Sequence, residues 1–430
     1  MSSASDFIKK HSIGPDTISI ENEMETYLCE MERGLSRESS SLAMLPSFIA
    51  LNGGVLLEKP IVCVDAGGTN LRITQAWFNA HGEFSCGGID RRIMPGAVHA
   101  LSAEEFFEAL AECIAPYLKE TPELALSFAY PGTIFPSANQ AFGRDNIDCE
   151  ILKMTKEIKV RGLEGKNVGA ELSGVFKKMG ISPVRYILLN DTVATALAGM
   201  AEGMGKDYGT YVGTILGTGS NSCYVEKTTC IAKASGFSQE GCMLVNIEAG
   251  WYDKLPRSGL DIAFDKTQSE PGRAIAEKMV SGAYLGNLCL FVLQQAVREG
   301  VLRSEKLLQT STLSGQSVSA FLKDGSGALA GLLLQDDGER QAAREIIFSI
   351  VRRGARVGAL QMAAAAEKAV KTNNTLCLTA EGATYEKMYG LKEELKSALF
   401  AYLEKRGYSA DLKVIENAVL KGCAIAGLCN

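Results

Sequence analysis

Asp65-Ala-Gly-Gly-Thr-Asn-Leu-Arg72 is the stretch on which the reading of this 430-residue chain turns. Before it runs Ile61-Val-Cys-Val, an extended apolar segment; after it, Leu71-Arg-Ile-Thr-Gln-Ala-Trp77 is a second one. The pattern predicts a strand, a tight turn and a strand. Two adjacent glycines let a backbone approach an anion closely and aim N–H groups at its oxygens. Asp65 ends the first strand, where a carboxylate can hold the water shell of a Mg²⁺ ion. Thr69 offers a hydroxyl and Arg72 a positive charge. Taken alone, a glycine hairpin is also an ordinary turn, so the reading needs support from elsewhere in the chain.

That support comes from residues 211–226. An apolar run over 211–216, the turn Gly217-Thr-Gly219 and a second run over 222–226 repeat the same layout. The identity between Gly-Gly-Thr-Asn70 and Gly-Thr-Gly-Ser-Asn221 is weak, yet the plan is the same, which predicts a duplicated α/β unit. The second turn is not a dinucleotide-binding fingerprint, because the third glycine is missing and a strand follows where a helix should. No GxxxxGK[ST] loop occurs either. Between the two hairpins, Ser102-Ala-Glu-Glu105 reads as a capping box ahead of a stripe of Phe106, Phe107, Leu110, Ile114 and Leu118. Residues 124–128 read as a strand. Residues 186–190 read as another that runs into Asp191 and then a helix over 193–200. Residues 20–35 read as helical, as does most of the chain from about 274. A strand over 375–378 leads into Thr379-Ala-Glu-Gly382, and 418–428 is an apolar helix.

A carboxylate at the C-terminal end of a strand sits where open α/β sheets hold their ligands. Phosphoryl transfer asks mainly for positioning and charge neutralisation, plus one base for the attacking hydroxyl. Asp191 suits that task, and it suits a plain helix N-cap equally well. Sugar hydroxyls both donate and accept, so paired amides and carboxylates can read them. Thr155, Lys156, Asn190, Asn221, Glu248 and Glu277 are residues of that kind, though each could also be ordinary surface polarity.

Bulk composition narrows the classes. At 430 residues, two or three domains are expected. The chain is 46% hydrophobic and 22% charged, as globular enzymes are, with net charge −6 and a pI near 5.5. That balance argues against a nucleic-acid partner. No apolar core of a signal peptide and no run of 18 apolar residues is present, so no membrane partner and a cytoplasmic location are expected. The 12 cysteines form no CxxC pair and read as reduced, mostly buried thiols. With only His11, His81 and His99, acid–base work falls to carboxylates.

The spaced motifs together resemble one family. Asp65-Ala-Gly-Gly-Thr-Asn-Leu-Arg-Ile73, Leu189-Asn-Asp-Thr-Val193, Gly217-Thr-Gly-Ser-Asn-Ser-Cys-Tyr-Val-Glu226, Asn246-Ile-Glu248 and Glu277-Lys-Met-Val-Ser-Gly-Ala-Tyr-Leu-Gly286 stand in the order seen in hexokinases. The resemblance runs from Met44-Leu-Pro46 to the last helix, at the length of the single-unit type. It implies a two-lobed actin-like ATPase fold of the ribonuclease H-like kind, with a central cleft. The small lobe would hold 61–188 plus 418–430, and the large lobe 1–60 plus 189–417. It also implies transfer of the γ-phosphoryl of MgATP to the 6-hydroxyl of a hexose, glucose first among them. Asp191 would be the base and Lys156 a second catalytic residue. Ser127, Thr155, Lys156, Asn190, Asp191, Asn221, Glu248 and Glu277 would contact the sugar. Asp65, Gly67, Gly68, Thr69, Asn70 and Arg72 would hold ATP together with Gly217, Thr218, Gly219 and Ser220. Gly382 and Val419 would flank the adenosine, and Asp65 would position Mg²⁺ through water.

Four departures bear on the sugar and the nucleotide. The family's Ser-Phe-Pro is here Ser127-Phe-Ala-Tyr-Pro-Gly132, and Asn-Met-Glu-Trp-Gly is Asn246-Ile-Glu-Ala-Gly250. Asn287 and Glu381 stand where acidic residues and Asp are usual. The competing readings are a kinase of mannose, fructose or an amino sugar, a sugar-binding sensor without turnover, and another actin-like ATPase. The oligomeric state, monomer or homodimer, stays open.

Overall fold

The computed structural model describes residues 3–51, 54–139, 141, 145–152, 158–203, 206–234 and 241–429. The two glycine hairpins lie in two separate sheets. In the first sheet, strand Ile61–Ala66 is buried along its whole length. It is antiparallel to Asn70–Phe78 across the first turn and parallel to Glu123–Phe128 on its other side. A strand covered on both faces reads as a continuous apolar run. Its alternating side chains enter different cores, as a two-residue period requires. Val62, Val64 and Ala66 join Phe106, Phe107 and Ile114 of helix Ala103–Leu118. Ile61 and Cys63 join the core that contains the last helix, Ala418–Cys429. The capping box at Ser102 is present, with Ser102 N donating to the Glu105 carboxylate at 2.7 Å.

Beyond Glu123–Phe128 the sheet continues through Arg185–Leu189, Asn146–Ile151 and Gly132–Ser137. The second sheet runs in the order Leu45–Ala50, Cys242–Asn246, Ser220–Lys227, Thr210–Leu216, Thr375–Glu381 and Ser409–Lys413. Thr210–Leu216 repeats the first plan. It is antiparallel to Ser220–Lys227 across the second turn and parallel to Thr375–Glu381. The duplicated unit expected from the layout of the sequence is therefore present as topology.

The two halves meet at the last helix. Gly422 faces Ala194 of helix Asp191–Glu202, and Gly427 faces Ile61; a Cβ at either would collide with its neighbour. Only glycine lets this helix lie so closely between the first sheet and helix Asp191–Glu202. The region after residue 274 is mainly helical, as expected, and includes the 32-residue helix Asp337–Lys368.

Leu45–Ala50, Gly132–Ser137 and Ser409–Lys413 have no counterpart in the sequence reading. All three are edge strands, which are short and carry proline or charge, and that masks the alternating pattern. Cys63, Cys149, Cys223, Cys289, Cys377 and Cys423 are buried, Cys29 and Cys230 are exposed, and all twelve thiols are free. Among the described residues, no helix is long and apolar enough to cross a membrane.

Candidate active site

The first turn is tied down from three sides. Gly67 N donates to the Asn70 carbonyl at 3.0 Å, and Met94 N donates to that of Thr69 at 2.9 Å. The Tyr130 hydroxyl donates to the Gly68 carbonyl at 3.0 Å. Asp65 and Arg72 are direct cross-strand partners. Their side chains therefore share a face, and Arg72 Nε and Nη2 lie 2.7 and 2.5 Å from Asp65 Oδ2. Arg72 also reaches Asn417 Oδ1 at 3.4 Å and Glu381 Oε1 at 3.8 Å. The guanidinium expected to face a phosphate is thus already matched by carboxylate. Among the described residues, no three His, Cys, Asp or Glu side chains cluster as a metal cage. Mg²⁺ needs none, since it commonly takes one or two carboxylates and completes its shell with water and substrate phosphates. Asp65 fits such a site, with the buried Glu381 Oε2 nearby, which has no partner among the described residues.

The second turn is closed by Gly217 N donating to the Gly219 carbonyl at 2.9 Å. The Gly217 carbonyl accepts from Gly282 N at 2.8 Å and from the Thr384 hydroxyl at 2.7 Å. Gly382, with φ of 123°, is in a conformation that L side chains rarely adopt. Helix Ile275–Val280 carries Glu277, whose Oε2 accepts from Ser220 N at 3.1 Å. A Cβ on Gly219 would lie 2.6 Å from that oxygen. Glycine here is what allows a sugar-type carboxylate to sit against a phosphate-type turn.

Asn190 caps helix Asp191–Glu202, its Oδ1 accepting from Thr192 N at 2.9 Å. Asp191 does not take the N-cap position itself. Its Oδ1 accepts from Thr192 N at 2.8 Å, and the half-buried carboxylate faces the cleft. On the opposite wall, Asn246 links two other expected sugar residues. Asn221 Nδ2 donates to Asn246 Oδ1 at 2.7 Å, and Asn246 Nδ2 donates to Glu248 Oε1 at 2.8 Å. Glu248 has left-handed φ and ψ of 58° and 49°, which costs a non-glycine residue on the order of 1–2 kcal/mol. The network and the Trp251 N–H, donating to the Glu248 carbonyl at 2.9 Å, hold it there.

These walls enclose one cleft of about 1300 Å³. Asp65, both glycine turns, Asn70, Arg72 and Gly382 line it, together with Asn190, Asp191, Asn221, Glu248 and Glu277. Two expectations are corrected. Ser127 is fully buried in its strand, opposite Asp65 on the face covered by the last helix, and its hydroxyl has no partner among the described residues. The cleft is reached two residues later, by Ala129 and Pro131. The Ser-Phe-Pro element is therefore matched by Ala129-Tyr130-Pro131, which brings no hydroxyl at its first position. Val419 is buried in the larger core, near the start of the last helix, while Asn417 just before that helix reaches the cleft side. Thr155 and Lys156 lie outside the described residues.

Sequence reasoning gave no role to Asn246, Gln361, Thr384 or Asn417. Asn246 stood inside a quoted motif, and its spacing of two from Glu248 was the available signal. Gln361 had none. It sits mid-helix and fully buried, donating to the Ala249 carbonyl at 3.0 Å behind the wall that carries Asn221 and Glu248.

Comparison with known proteins agrees with this geometry. One hexokinase family model matches residues 5–201 and another matches residues 211–429. Hexokinase-1 of Schizosaccharomyces pombe is 28% identical over 405 residues, covering 87% of this chain and 80% of the relative. The hexokinase-like 1 protein of Arabidopsis thaliana is 30% identical over 414 residues, with 87% and 80% covered. A hexokinase from Schistosoma mansoni, solved in complex with glucose, has the same two-lobed actin-like fold. Its TM-score is 0.79 over 100% of both chains at 22% identity. With family models spanning both halves, this chain belongs to the hexokinase family and is a hexose kinase of that class.

Proposed function

We propose that this chain transfers the γ-phosphoryl group of MgATP to the 6-hydroxyl of glucose, with Asp191 as the base. One observation carries the reading. Asp191 lines the same cleft as four polar sugar-type side chains and two glycine turns. A base is useful for phosphoryl transfer only where hydroxyl and phosphate meet. Asn190, Asn221, Glu248 and Glu277 would read the sugar hydroxyls in opposed donor and acceptor directions. Asp191 accepts the 6-hydroxyl proton as that oxygen bonds to the γ-phosphorus, and the bond to the bridging oxygen of ADP breaks. Residues 67–69 and 217–220 would hold the phosphates, Gly382 would flank the adenosine, and Asp65 would keep a Mg²⁺ ion through water. When bound, Mg²⁺ neutralises charge on the phosphates.

Our reading of the lobes takes 61–188 with 418–430 as the smaller and 1–60 with 189–417 as the larger. A glucose complex of a fold relative supports glucose as the first substrate to try. A second reading keeps the chemistry and changes the hexose. It is favoured by Ala129, which leaves the sugar wall without a hydroxyl at that point.

The test measures ADP release from MgATP with glucose, mannose, fructose, glucosamine and no sugar, for wild type and Asp191→Ala. Sugar-dependent turnover that falls by at least about 10² in the variant supports the base and names the hexose. Hexose binding without turnover, or hydrolysis indifferent to sugar, sinks the reading.

A further inference from the structure

Gln361 approaches the cleft wall of the second sheet from behind. On helix Asp337–Lys368 it stands seven residues after Gly354 and three after Gly358, a spacing that puts all three on one face. The two glycines bring that face close to its neighbours. A Cβ on Gly354 would lie 2.8 Å from the Met279 carbonyl, in the helix that carries Glu277. A Cβ on Gly358 would lie 3.5 Å from the Leu216 side chain, at the end of the strand that enters the second turn. Gln361 itself is 1% exposed, and a buried amide needs partners.

The amide nitrogen has two. Nε2 lies 3.0 Å from the Ala249 carbonyl and 3.4 Å from the Ser220 hydroxyl. A carbonyl only accepts, so the nitrogen of the amide and not its oxygen faces Ala249. Ala249 follows Glu248, and its N–H donates to Asn221 Oδ1 at 3.1 Å. The Ala249 backbone is thus held at its N–H by Asn221 and at its carbonyl by Gln361, with the Tyr252 N–H sharing that carbonyl at 3.3 Å. These bonds anchor the turn on which Glu248 keeps its left-handed conformation. Ser220 belongs to the other turn. Its N–H donates to Glu277 at 3.1 Å, and it lines the cleft. A hydroxyl that accepts from Gln361 still has its own O–H to donate. Gln361 Oε1 is buried and has no partner among the described residues. An apolar side chain of the same shape would fill the core without that unpaired acceptor, so packing alone does not account for the amide.

We propose that Gln361 is a positioning residue that holds the hexose wall and the second phosphate turn in one arrangement, so that losing its amide weakens both substrates although it touches neither. The inference rests on the kinase reading above. Through Ala249 the amide sets the carboxylate of Glu248 toward the hexose. Through Ser220 it orients a hydroxyl of the turn read as holding phosphate.

The experiment measures kcat, the KM for the hexose and the KM for ATP, with hexose affinity from titration calorimetry. The proteins are wild type, Gln361→Met, Gln361→Glu, Ser220→Ala and the double variant S220A/Q361M. Q361M keeps the length of the side chain and removes its donor. It is expected to raise the hexose KM and the calorimetric Kd by about fivefold, the worth of one hydrogen bond, and to raise the KM for ATP as well. S220A raises the KM for ATP alone. In the double variant the KM for ATP rises no further than in S220A, because the two residues act through one contact. Q361E supplies the readout that a purely structural amide would not move. Burial favours the protonated form of the introduced carboxyl, which can donate to the Ala249 carbonyl, whereas the ionised form cannot. The ratio of its hexose KM to that of wild type should therefore fall as the pH is lowered, while the same ratio for Q361M stays flat. Wild-type KM values in Q361M overturn the inference whatever its melting temperature. A rise confined to the hexose, or ATP effects that multiply in the double variant, overturns it too. If wild type turns over no hexose, the kinase reading falls first and this inference with it; if wild type is active and Q361M matches it, only the inference falls.

Discussion

At Glu381 burial raises the carboxyl from the ordinary 4.5 to about 7, with Arg72 opposing the shift and Asp65 and Asp191 adding to it. A carboxyl that keeps its proton in the fold after the unfolded chain has lost it stabilises the fold fully below about 4.5. That contribution is lost as the pH rises toward 7. Glu381→Gln should therefore gain thermal stability relative to wild type between pH 5 and pH 8. Melting curves whose difference stays flat across that window would remove the argument. Asn246 makes a second residue-scale case. Its amide bonds Asn221 and Glu248 at once, so Asn246→Ala strands two polar groups of the wall we propose to hold the sugar. Each unsatisfied group costs about 1–3 kcal/mol. The hexose KM should rise by at least about tenfold with the ATP KM little changed; equal effects on both would show that Asn246 merely supports the fold.

At the scale of elements, the last helix depends on two glycines. Gly422 meets the Ala194 carbonyl and Gly427 meets Ile61 with no room for a Cβ. Gly422→Ala must separate this helix from helix Asp191–Glu202, an overpacking cost of about 1–3 kcal/mol. Because Asp191 begins that helix, both the melting temperature and kcat should drop. Gly174, an exposed helical glycine where an added Cβ would meet nothing within 4 Å, offers the contrast. Gly174→Ala should be neutral or slightly stabilising, since alanine costs less in a helix than glycine. If the two alanine variants melt alike, the close approach of the last helix does not matter.

At the scale of the whole molecule, the two sheets carry opposite walls of one cleft. We propose hinges where the chain crosses between them, near residues 60 and 189 and before Ala418. A kinase that closes only around its sugar keeps water from the phosphate. X-ray scattering should record a smaller radius of gyration when the accepted hexose is added, and no change with a hexose that is not turned over. Superimposable curves with and without the accepted sugar would count against closure.

Much of this architecture is legible in the linear chain. The strand–turn–strand at Asp65, its repeat at Gly217 and the strand running into Asp191 are local patterns, written by hydrophobic period and glycine placement. They survive in a linear reading because each depends on neighbours in sequence. The edge strands are not legible, because proline and charge hide their period, and neither is the last helix's role between the halves.

Residue order alone was enough for the duplicated hairpins, the carboxylate poised after a buried strand and the family to which the chain belongs. It took the packed fold to place Ser127 under the last helix and Ala129 at the cleft. The packed fold likewise spends Arg72 on Asp65. The reason is physical. A sequence motif says which groups are available, but strand register and helix packing fix which face each side chain takes and which charge meets it first.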